Sequence, residues 1–370
     1  MLTIAFTGGG TGGHIYPGLA VAEAFKERLT GKEYRIFWIG SNKGMDCSIV
    51  MNAGLEFFGI PAGRLRRYFS LKTIPDTFRV IAGYFEARKI LKKQKVNILF
   101  SKGGFVSVPP CAAAASLNIP VFTHESDFSP GLATKINLRF VKKTGGNVFT
   151  AYAETAKFLP AALKDKIIVC TNPVRSVFRK ADAEKGRSFL GLKPDEKILL
   201  VLGGSQGAKE INALVRACIN DLSRYYTVVH QYGSEQNWDL QKTKGYIPFP
   251  YINDEMPHVL AAAELVMGRS GAGTVWESAV CGKPMILIPL SGSGTRGDQV
   301  ENARFFEKEG AALVLTGADA AAQKLCALVR TLAEDPQKRR LMAESAQKIG
   351  SLDGSAVIGD FIIEFLNKAG

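Results

Sequence analysis

Histidine is scarce in this sequence, which makes the surroundings of each histidine informative. The chain contains four histidines among 370 residues. His14 directly follows a run of glycines, and His124 is followed by Glu125 and shortly afterwards by Asp127. Because an imidazole titrates near neutral pH, a histidine in a loop at a ligand site is a candidate general base. His14 is therefore a candidate base, whereas a structural hydrogen-bonding role is favoured for His124.

Glycine-rich turns follow apolar segments in both halves of the chain. They lie at residues 8–13, 102–105, 203–207, 269–274 and 291–297. Glycine lets the backbone adopt positive φ and approach a ligand closely. A helix that begins behind such a turn offers free N–H groups and a partial positive charge, which suit a diphosphate. Tight strand–helix connections are the alternative, but the recurrence of these turns in both halves favours ligand binding.

Two common nucleotide-binding signatures are incomplete. A Gly-x-Gly-x-x-Gly pattern can be written from Gly8, but no acidic residue ends the next apolar strand, which disfavours a nicotinamide-dependent dehydrogenase. The Lys-Ser/Thr ending of a P-loop is also missing, which disfavours a nucleoside triphosphatase. Since the sequence has no Asp-x-Asp motif or His/Asp cluster, we predict no metal site.

Glu277 stands about one turn into a helix that we expect to begin behind the glycine run 269–274. Its carboxylate is placed to accept hydrogen bonds from the two neighbouring hydroxyls of a ribose. A carboxylate near a helix N-terminus also stabilises the helix dipole, by about 0.3–1 kcal/mol. The residues alone leave both interpretations open.

The elements that must hold these residues alternate between apolar strands and amphipathic helices. Both halves begin with a short strand, a glycine turn and a helix, at residues 2–25 and 198–215. This order predicts an α/β protein with two Rossmann-like, doubly wound parallel-sheet domains that face a cleft. We expect the domains to span residues 1–165 and 166–355, with a last helix at 356–366 that packs back on the first domain.

Composition restricts the class of protein. Hydrophobic residues make up 46% and charged residues 22% of the chain, as in ordinary globular proteins. The six cysteines are widely spaced, and no signal peptide or long apolar span is evident, so we expect a cytosolic protein. Residues 1–165 carry a net charge of +11 and the remainder +2, which suggests that one domain meets an anionic surface.

The segment 64–95 concentrates this charge, with ten Lys and Arg residues against two acidic ones. Apolar residues recur in it at helical spacing from Phe78 to Phe85. For this helix, packing of the stripe on its own sheet is the favoured interpretation. For the preceding loop, contact with an anionic membrane is favoured, through Arg64, Arg66, Arg67, Phe69 and Leu71. No nucleic-acid-binding motif accompanies the charge, so no nucleic-acid partner is expected.

Seven segments together resemble the MurG family of bacterial N-acetylglucosaminyltransferases, which act on a polyprenyl-diphosphate-linked muramyl peptide. In chain order they read GGGTGGHIYP (8–17), KGGFVS (102–107), HESD…PGLA (124–133), NPVR (172–175), GGSQGA (203–208), RSGAGTVWE (269–277) and DQVENA (298–303). The resemblance implies an inverting glycosyltransferase of the GT-B fold that makes lipid II for peptidoglycan, and hence serves cell-wall growth, cell shape and division. It implies UDP-N-acetylglucosamine as donor, lipid I as acceptor, no tightly bound cofactor, and a peripheral position on the cytoplasmic face of the inner membrane.

The resemblance also implies a donor site in the second domain. Arg175 and Ile252 would lie near the uracil, and Glu277 would bind the ribose. The diphosphate would lie near Ser205 and the turn formed by Ala272, Gly273 and Thr274. Gln299 would bind the sugar hydroxyls.

The first domain would bind the acceptor. The resemblance places Gly10, Gly103 and Gly104 near the acceptor diphosphate. It brings Thr11, Gly12, Gly13 and Asp127 close to the donor sugar. His14 would take up the proton of the attacking hydroxyl, with Glu125 as the second candidate.

Two departures from the family pattern leave alternatives open. Ser126 and Asp127 replace the usual Gln-Asn, which adds a negative charge beside the donor pocket, and Thr171 stands where Gly usually precedes the NPVR motif. A related transferase that acts on another lipid acceptor, such as diacylglycerol, is one alternative. A UDP-sugar 2-epimerase and a basic membrane- or RNA-associated binding module are the others.

Overall fold

The computed structural model describes residues 1–63, 73–204, 207–235, 238, 243–290 and 296–369. The chain divides into two compact units. The first unit comprises Met1–Arg175 together with the segment that begins at Asp353, and the second comprises Ser176–Leu352. Each unit is built on its own parallel sheet with helices, which confirms the predicted fold class of two doubly wound α/β domains.

The first unit contains a seven-stranded sheet in the order β3-β2-β1-β4-β5-β6-β7. Its strands are β1 (Leu2–Thr7), β2 (Tyr34–Ser41), β3 (Glu56–Ile60), β4 (Ile98–Ser101), β5 (Val121–Glu125), β6 (Val148–Thr150) and β7 (Ile167–Val169). Its helices up to residue 175 are α1 (Gly12–Arg28), α2 (Asp46–Asn52), α3 (Thr73–Lys93), α4 (Val108–Ser116) and α5 (Leu132–Thr144). The central strands are apolar and buried, as expected of a parallel sheet that helices cover on both faces. Phe6 and Trp38, for example, stack in the core with ring centroids 5.8 Å apart.

The second unit contains a six-stranded sheet in the order β10-β9-β8-β11-β12-β13. Its strands are β8 (Ile198–Leu202), β9 (Thr227–Gln231), β10 (Tyr246–Phe249), β11 (Leu265–Gly268), β12 (Met285–Leu287) and β13 (Ala312–Val314). Its helices are α6 (Ser176–Arg179), α7 (Ala183–Leu190), α8 (Lys209–Leu222), α9 (Met256–Ala262), α10 (Ala272–Val280), α11 (Asp298–Lys308), α12 (Ala322–Glu334) and α13 (Pro336–Gly350). Every strand pair in this sheet is parallel.

The last helix, α14 (Gly354–Ala369), belongs to the first unit. Its Asp360 forms an ion pair with Arg28 of α1, and its Phe361 packs edge-on against Phe149 of β6. The first unit also continues beyond residue 165, where the sequence placed the boundary, because β7 pairs with β6 and extends the first sheet.

Both sheets reverse their strand order next to their first strand. In the first unit, β1 lies between β2 and β4, and Thr7 is level with Ser101. In the second, β8 lies between β9 and β11, and Leu202 is level with Gly268. In open α/β sheets, ligands bind beyond the carboxyl ends of the strands at such a switch point.

Candidate active site

Two glycine loops meet at the switch point of the first unit. The loop 8–13 follows β1 and the loop 102–104 follows β4, and the Lys102 N–H donates to the Thr7 carbonyl at 2.8 Å. Gly104 has φ of +76°, and a Cβ added to it would lie 2.6 Å from the Gly9 carbonyl oxygen. Glycine is therefore required at residue 104 for the two loops to touch.

His14 lies where these loops meet. It is in the first turn of α1 and is half-buried. Its Nδ1 is 2.9 Å from Thr11 Oγ1, and an added Cβ on Gly104 would lie 3.2 Å from the same nitrogen. The fold thus brings together His14, Thr11 and the predicted acceptor-loop glycines Gly103 and Gly104.

A buried carboxylate that the sequence did not reveal holds the first glycine loop. Asp46, the first residue of α2, accepts hydrogen bonds from the N–H groups of Gly10 at 3.0 Å and Ser41 at 3.1 Å. Burial raises the pKa of Asp46, and the two hydrogen bonds act in the opposite direction. Gly10 itself has φ of +85°, and an added Cβ would lie 2.5 Å from the Phe105 ring.

Glu125, the second candidate base, ends β5 and organises the loop behind it. Its Oε1 accepts from the Asp127 N–H at 3.0 Å and its Oε2 from the Gly131 N–H at 3.1 Å. Burial and, to a smaller extent, the charge of Asp127 raise the pKa of Glu125. Both carboxylate oxygens therefore hold backbone N–H groups and fix the loop that carries Asp127.

His124 has a structural role. Its ring is buried, and Nε2 lies 3.0 Å from the carbonyl oxygen of Thr171. Since a carbonyl only accepts hydrogen bonds, Nε2 carries the proton. Burial and the neighbouring charge of Lys102 hold the pKa of His124 well below its usual value, so the ring is neutral.

Lys102 and Asn137 are two further buried polar residues beside the loops that sequence reasoning missed as site residues. The Lys102 ammonium donates to Ser126 Oγ at 2.5 Å, and burial lowers the pKa of Lys102 to about 8. The Asn137 amide donates to the hydroxyls of Ser101 at 3.2 Å and Ser107 at 2.8 Å, on either side of the second glycine loop. Both residues read as ordinary turn and helix residues in the sequence, because their burial depends on the tertiary fold.

The switch point of the second unit brings together another pair of glycine turns. Gly203 and Gly204 follow β8, and Arg269–Gly271 follow β11. The Arg269 N–H donates to the carbonyl of Leu202 at the end of β8. Behind the second turn, α10 begins with Ala272, Gly273 and Thr274, all half-buried. The first turn of α10 contains no acidic residue, and no described atom lies within 4 Å of a Cβ added to Gly271 or Gly273. Within the described residues, the space beside Gly271 and Gly273 is therefore open.

Uncharged side chains hydrogen-bond to these turns, and Arg269 of the second turn pairs with Glu210 of α8 at 2.6 Å. Gln231 links the first turn to the segment after β10, donating to the Gly204 carbonyl at 3.4 Å and accepting from the Ile252 N–H at 2.9 Å. The Ser270 hydroxyl donates to the Gln299 carbonyl at 2.6 Å. The Gln299 side chain accepts from the Leu290 N–H at 3.0 Å. Ile252 and Gln299 thus lie among the loops at this switch point.

The other predicted donor residues are placed as follows. Glu277 lies on α10 and is half-buried. Arg175 is in the first unit, where its guanidinium lies 4.7 Å from the centre of the Tyr16 ring. Ser205 lies outside the described residues, as do Arg64, Arg66, Arg67, Phe69 and Leu71 of the expected membrane loop.

The apolar stripe of α3 does not pack on the sheet, so that interpretation of the sequence is wrong. The side chains of Phe78, Ile81 and Phe85 are 68%, 49% and 64% exposed. The opposite face of α3, which carries Ala87 and Leu91, is buried in the core. Small and aliphatic residues on that face fit against the sheet, which leaves the aromatic stripe on the surface.

Two features are absent from the residues that the structure describes. None of the helices in this part of the chain is long and apolar enough to cross a membrane. No group of three or more His, Cys, Asp or Glu side chains in the described ranges is arranged to hold a metal ion.

Two family models match the chain. Residues 4–146 match the glycosyltransferase family 28 N-terminal domain, and residues 198–356 match the family 28 C-terminal domain. The first match contains His14 and both glycine loops of the first unit, and the second contains the glycine turns of the second unit. The two models thus divide the chain much as the two compact units do.

Full-length relatives share one name. The UDP-N-acetylglucosamine–N-acetylmuramyl-(pentapeptide) pyrophosphoryl-undecaprenol N-acetylglucosamine transferase of Treponema denticola is 47% identical and covers 100% of this chain and 99% of its own length. The Bacillus cereus transferase 2 of the same name is 41% identical over 91% of this chain and 93% of its own length. Among solved structures, Acinetobacter baumannii MurG superposes with a TM-score of 0.72 at 24% identity, over 98% of this chain and 100% of its own. That similarity supports the fold.

Proposed function

Because the chain belongs to the family of UDP-N-acetylglucosamine–N-acetylmuramyl-(pentapeptide) pyrophosphoryl-undecaprenol N-acetylglucosamine transferases, we propose that it converts lipid I into lipid II. It is a glycosyltransferase of peptidoglycan synthesis that moves N-acetylglucosamine from UDP-N-acetylglucosamine to the muramyl sugar. The observation that carries the proposal is the full-length similarity to the named transferases. The alternatives, another lipid acceptor or a UDP-sugar 2-epimerase, are not favoured by these names.

The second unit supplies the donor site. The open N-terminus of α10, at Ala272, Gly273 and Thr274, offers N–H groups and the positive end of the helix dipole to the diphosphate of UDP. The same groups stabilise the negative charge that develops on UDP as it leaves. Glu277 accepts from the ribose hydroxyls, and Gln299 contacts the sugar.

Three further residues complete the donor assignment. Ile252 and Arg175 contact the uracil, and Ser205 contacts the diphosphate. Arg175 belongs to the first unit, where its guanidinium lies over the ring of Tyr16 of α1. A stacked guanidinium is held in one orientation, which lowers the entropy lost when it binds a ligand.

The first unit supplies the acceptor site and the base. Gly10, Gly103 and Gly104 present backbone N–H groups to the acceptor diphosphate, while Thr11, Gly12, Gly13 and Asp127 approach the donor sugar. The acceptor hydroxyl oxygen bonds to the anomeric carbon as the bond from that carbon to the UDP oxygen breaks. UDP departs with the bonding electrons, and attack from the opposite face inverts the configuration.

His14 receives the proton of the attacking hydroxyl at Nε2. When Nδ1–H donates to Thr11 Oγ1, which is 2.9 Å away, Nε2 is unprotonated and can act as the base. Both oxygens of Glu125 hold N–H groups, so we assign to it the positioning of the Asp127 loop. The scheme uses no cofactor besides the sugar nucleotide.

The exposed face of α3 supports a peripheral position on the cytoplasmic side of the inner membrane. Phe78, Ile81 and Phe85 share this face at helical spacing, and Lys89 and Lys92 extend it towards the helix end. An apolar strip with neighbouring lysines fits an interface with anionic lipid. The arginines Arg64, Arg66 and Arg67 would add to the attraction.

Vesicle binding tests the membrane proposal. Replacing Phe78 and Phe85 by serine should weaken binding to phosphatidylglycerol vesicles by about tenfold or more, since two apolar anchors are lost. Leu341→Ser is the matched control, because Leu341 is 58% exposed on α13 of the second unit. Equal binding by both variants would contradict the assignment of this face.

The transferase proposal is tested with purified protein, UDP-N-acetylglucosamine and a short-chain lipid I analogue. We expect a disaccharide product and UDP in equal amounts. Diacylglycerol should give no product, and no epimerised sugar nucleotide should form without acceptor. Absence of the disaccharide, or transfer to diacylglycerol instead, would overturn the proposal.

A further inference from the structure

Lys102 is a buried lysine that begins the second glycine loop of the first unit. It follows β4, and it is only 2% exposed. Burying an ammonium group is costly unless it is hydrogen-bonded and near opposite charge. Packing alone therefore does not account for a lysine here.

The ammonium of Lys102 begins a short polar chain. It donates to Ser126 Oγ at 2.5 Å, and the Ser126 hydroxyl donates to Asn172 Oδ1 at 2.6 Å. All three residues are buried. The chain connects the second glycine loop, the loop after β5 and the segment that leads to Arg175.

Four ionisable groups act on the ammonium or are affected by it. The carboxylates of Glu125 and Asp127 provide opposite charge. The Cys170 thiol is kept neutral because burial raises its pKa, and the His124 ring is kept neutral because burial lowers its pKa. Among these neighbouring groups, Lys102 is therefore the one that supplies positive charge opposite the carboxylates of Glu125 and Asp127.

Ser126 and Asp127 are neighbours in the loop after β5. One of them hydrogen-bonds Lys102, and the other contributes negative charge to it. An unbalanced carboxylate close to the donor sugar would repel the diphosphate of UDP. The structure thus offers a reason why this protein tolerates an aspartate at residue 127.

We propose that Lys102 is a positioning residue that, through Ser126 and the charge of Asp127, keeps the loop after β5 in place and prevents Asp127 from repelling the sugar nucleotide. The inference rests on the proposed function, because it concerns the donor of that reaction. Lys102 and Asp127 act as one unit, so the loss of either charge has consequences that depend on the other.

Kinetics of four proteins test this coupling: the unmodified chain, Lys102→Met, Asp127→Asn and the double variant. Lys102→Met should raise KM for UDP-N-acetylglucosamine by about tenfold or more, because Asp127 is left unbalanced. Asp127→Asn, which removes the charge that Lys102 offsets, provides the reference KM for the double variant. The double variant should return to within about threefold of Asp127→Asn, which is the signature of coupled residues.

The pH dependence gives a second readout. Burial lowers the pKa of Lys102 to about 8, so the ammonium is present below pH 8 and is lost as the pH rises above it. In the unmodified chain, KM for the donor should rise above pH 8. This rise should be absent from Lys102→Met, whose KM is high throughout, and reduced in Asp127→Asn.

Lys283→Met serves as the matched control. Lys283 is another lysine whose pKa burial lowers, and it donates to the Ala261 carbonyl at 2.6 Å in the second unit, away from the glycine loops. Its replacement should lower the unfolding temperature while KM stays within about twofold. A similar rise in KM for Lys283→Met and Lys102→Met would overturn the proposal.

The proposal would also be overturned if Lys102→Met and Asp127→Asn changed KM for the donor independently of each other. It would equally be overturned if KM rose above pH 8 by the same factor in Lys102→Met and in the unmodified chain. If Lys102→Met fails to fold, Asp127→Asn alone decides. A reduced alkaline rise supports the pairing, and an unchanged rise refutes it. The test also separates the two proposals, because an unmodified chain that makes no disaccharide refutes the function, whereas a product without coupling refutes this inference only.

Discussion

The switch points of the two sheets have the same topology but different chemistry. In the first unit, the ionisable side chains of Asp46 and His14 bond to the first glycine loop, and those of Lys102 and Glu125 bond to the neighbouring loop after β5. In the second unit, Gln231, Ser270 and Gln299 hydrogen-bond to the turns through uncharged groups, although Arg269 of the second turn pairs with Glu210, and the first turn of α10 carries no acidic residue. Under the proposed function, one topology therefore serves proton transfer and charge balance in one unit, and anion binding by backbone N–H groups in the other.

The two units also differ in how many non-glycine residues adopt a left-handed backbone conformation. Among the described residues, positive φ outside glycine occurs at Lys95, Asn118 and Thr171, all in the first unit. Thr171 is the most demanding of these, because it is β-branched and its carbonyl accepts from His124. Strained positions tend to persist where the surroundings impose them, as they do near functional sites.

Loss of the proposed base is expected to have the largest effect. His14→Ala should lower kcat by about 10²–10⁴-fold, because no other group takes the proton. KM for UDP-N-acetylglucosamine should change by less than about threefold, since the diphosphate and ribose contacts are assigned to the second unit. His14→Gln, which keeps a polar side chain that cannot take up the proton, should lose as much activity. A kcat within about tenfold of normal for either variant would contradict the assignment.

Loss of the proposed ribose ligand should mainly affect donor affinity. Glu277→Ala removes hydrogen bonds from a carboxylate, so donor affinity should fall by about 10–100-fold in titration calorimetry with UDP. The matched control is Glu344→Gln on α13, whose carboxylate pairs with Arg340 at the surface. Unaltered UDP affinity in Glu277→Ala would mean that α10 does not bind the nucleotide as proposed.

Glycine-to-alanine substitutions should separate the two glycine loops. Gly10→Ala should destabilise the protein by about 1–3 kcal/mol, because φ is +85° and the new Cβ meets the Phe105 ring at 2.5 Å. Gly273→Ala should leave folding intact, since no described atom lies within 4 Å of its Cβ. It should nevertheless weaken UDP binding, because the methyl group occupies the space proposed for the diphosphate. Urea unfolding and UDP titration of both variants measure these effects, and the reverse pattern would refute the distinction.

Relief of backbone strain should have the smallest effect. Thr171→Gly should stabilise the protein by about 0.5–1 kcal/mol, since the gain at φ of +66° exceeds the extra entropy of an unfolded glycine. Asn118→Gly, at φ of +56°, is the control and should gain less, because asparagine tolerates this conformation better than threonine. Destabilisation of Thr171→Gly in urea would show that the threonine side chain contributes more than its backbone costs.

The sequence predicted the fold well because the signals for parallel α/β units are local. Apolar strands, glycine turns and helices were readable in order, and the seven motifs identified the family. The edge strands β3, β7 and β10 were not predicted. Glu56 in β3 and Pro248 in β10 interrupt the apolar pattern expected of a buried strand, and β7 lies just past the expected domain boundary.

The supporting residues were not predictable, because they come from distant segments. Asp46 reaches Gly10 only because β2 lies beside β1, and Lys102 reaches Asn172 only through Ser126. Periodicity also showed which residues of α3 share a face without showing which face is covered. The roles of His14, Glu277 and the other predicted site residues remain predictions.

A crystal structure with UDP-N-acetylglucosamine tests the central claim, that donor binding belongs to the second switch point and proton transfer to the first. We expect the diphosphate at the N–H groups of Ala272–Thr274 and the ribose hydroxyls at Glu277. A diphosphate bound instead to the glycine loop 8–13, with α10 unoccupied, would contradict this division.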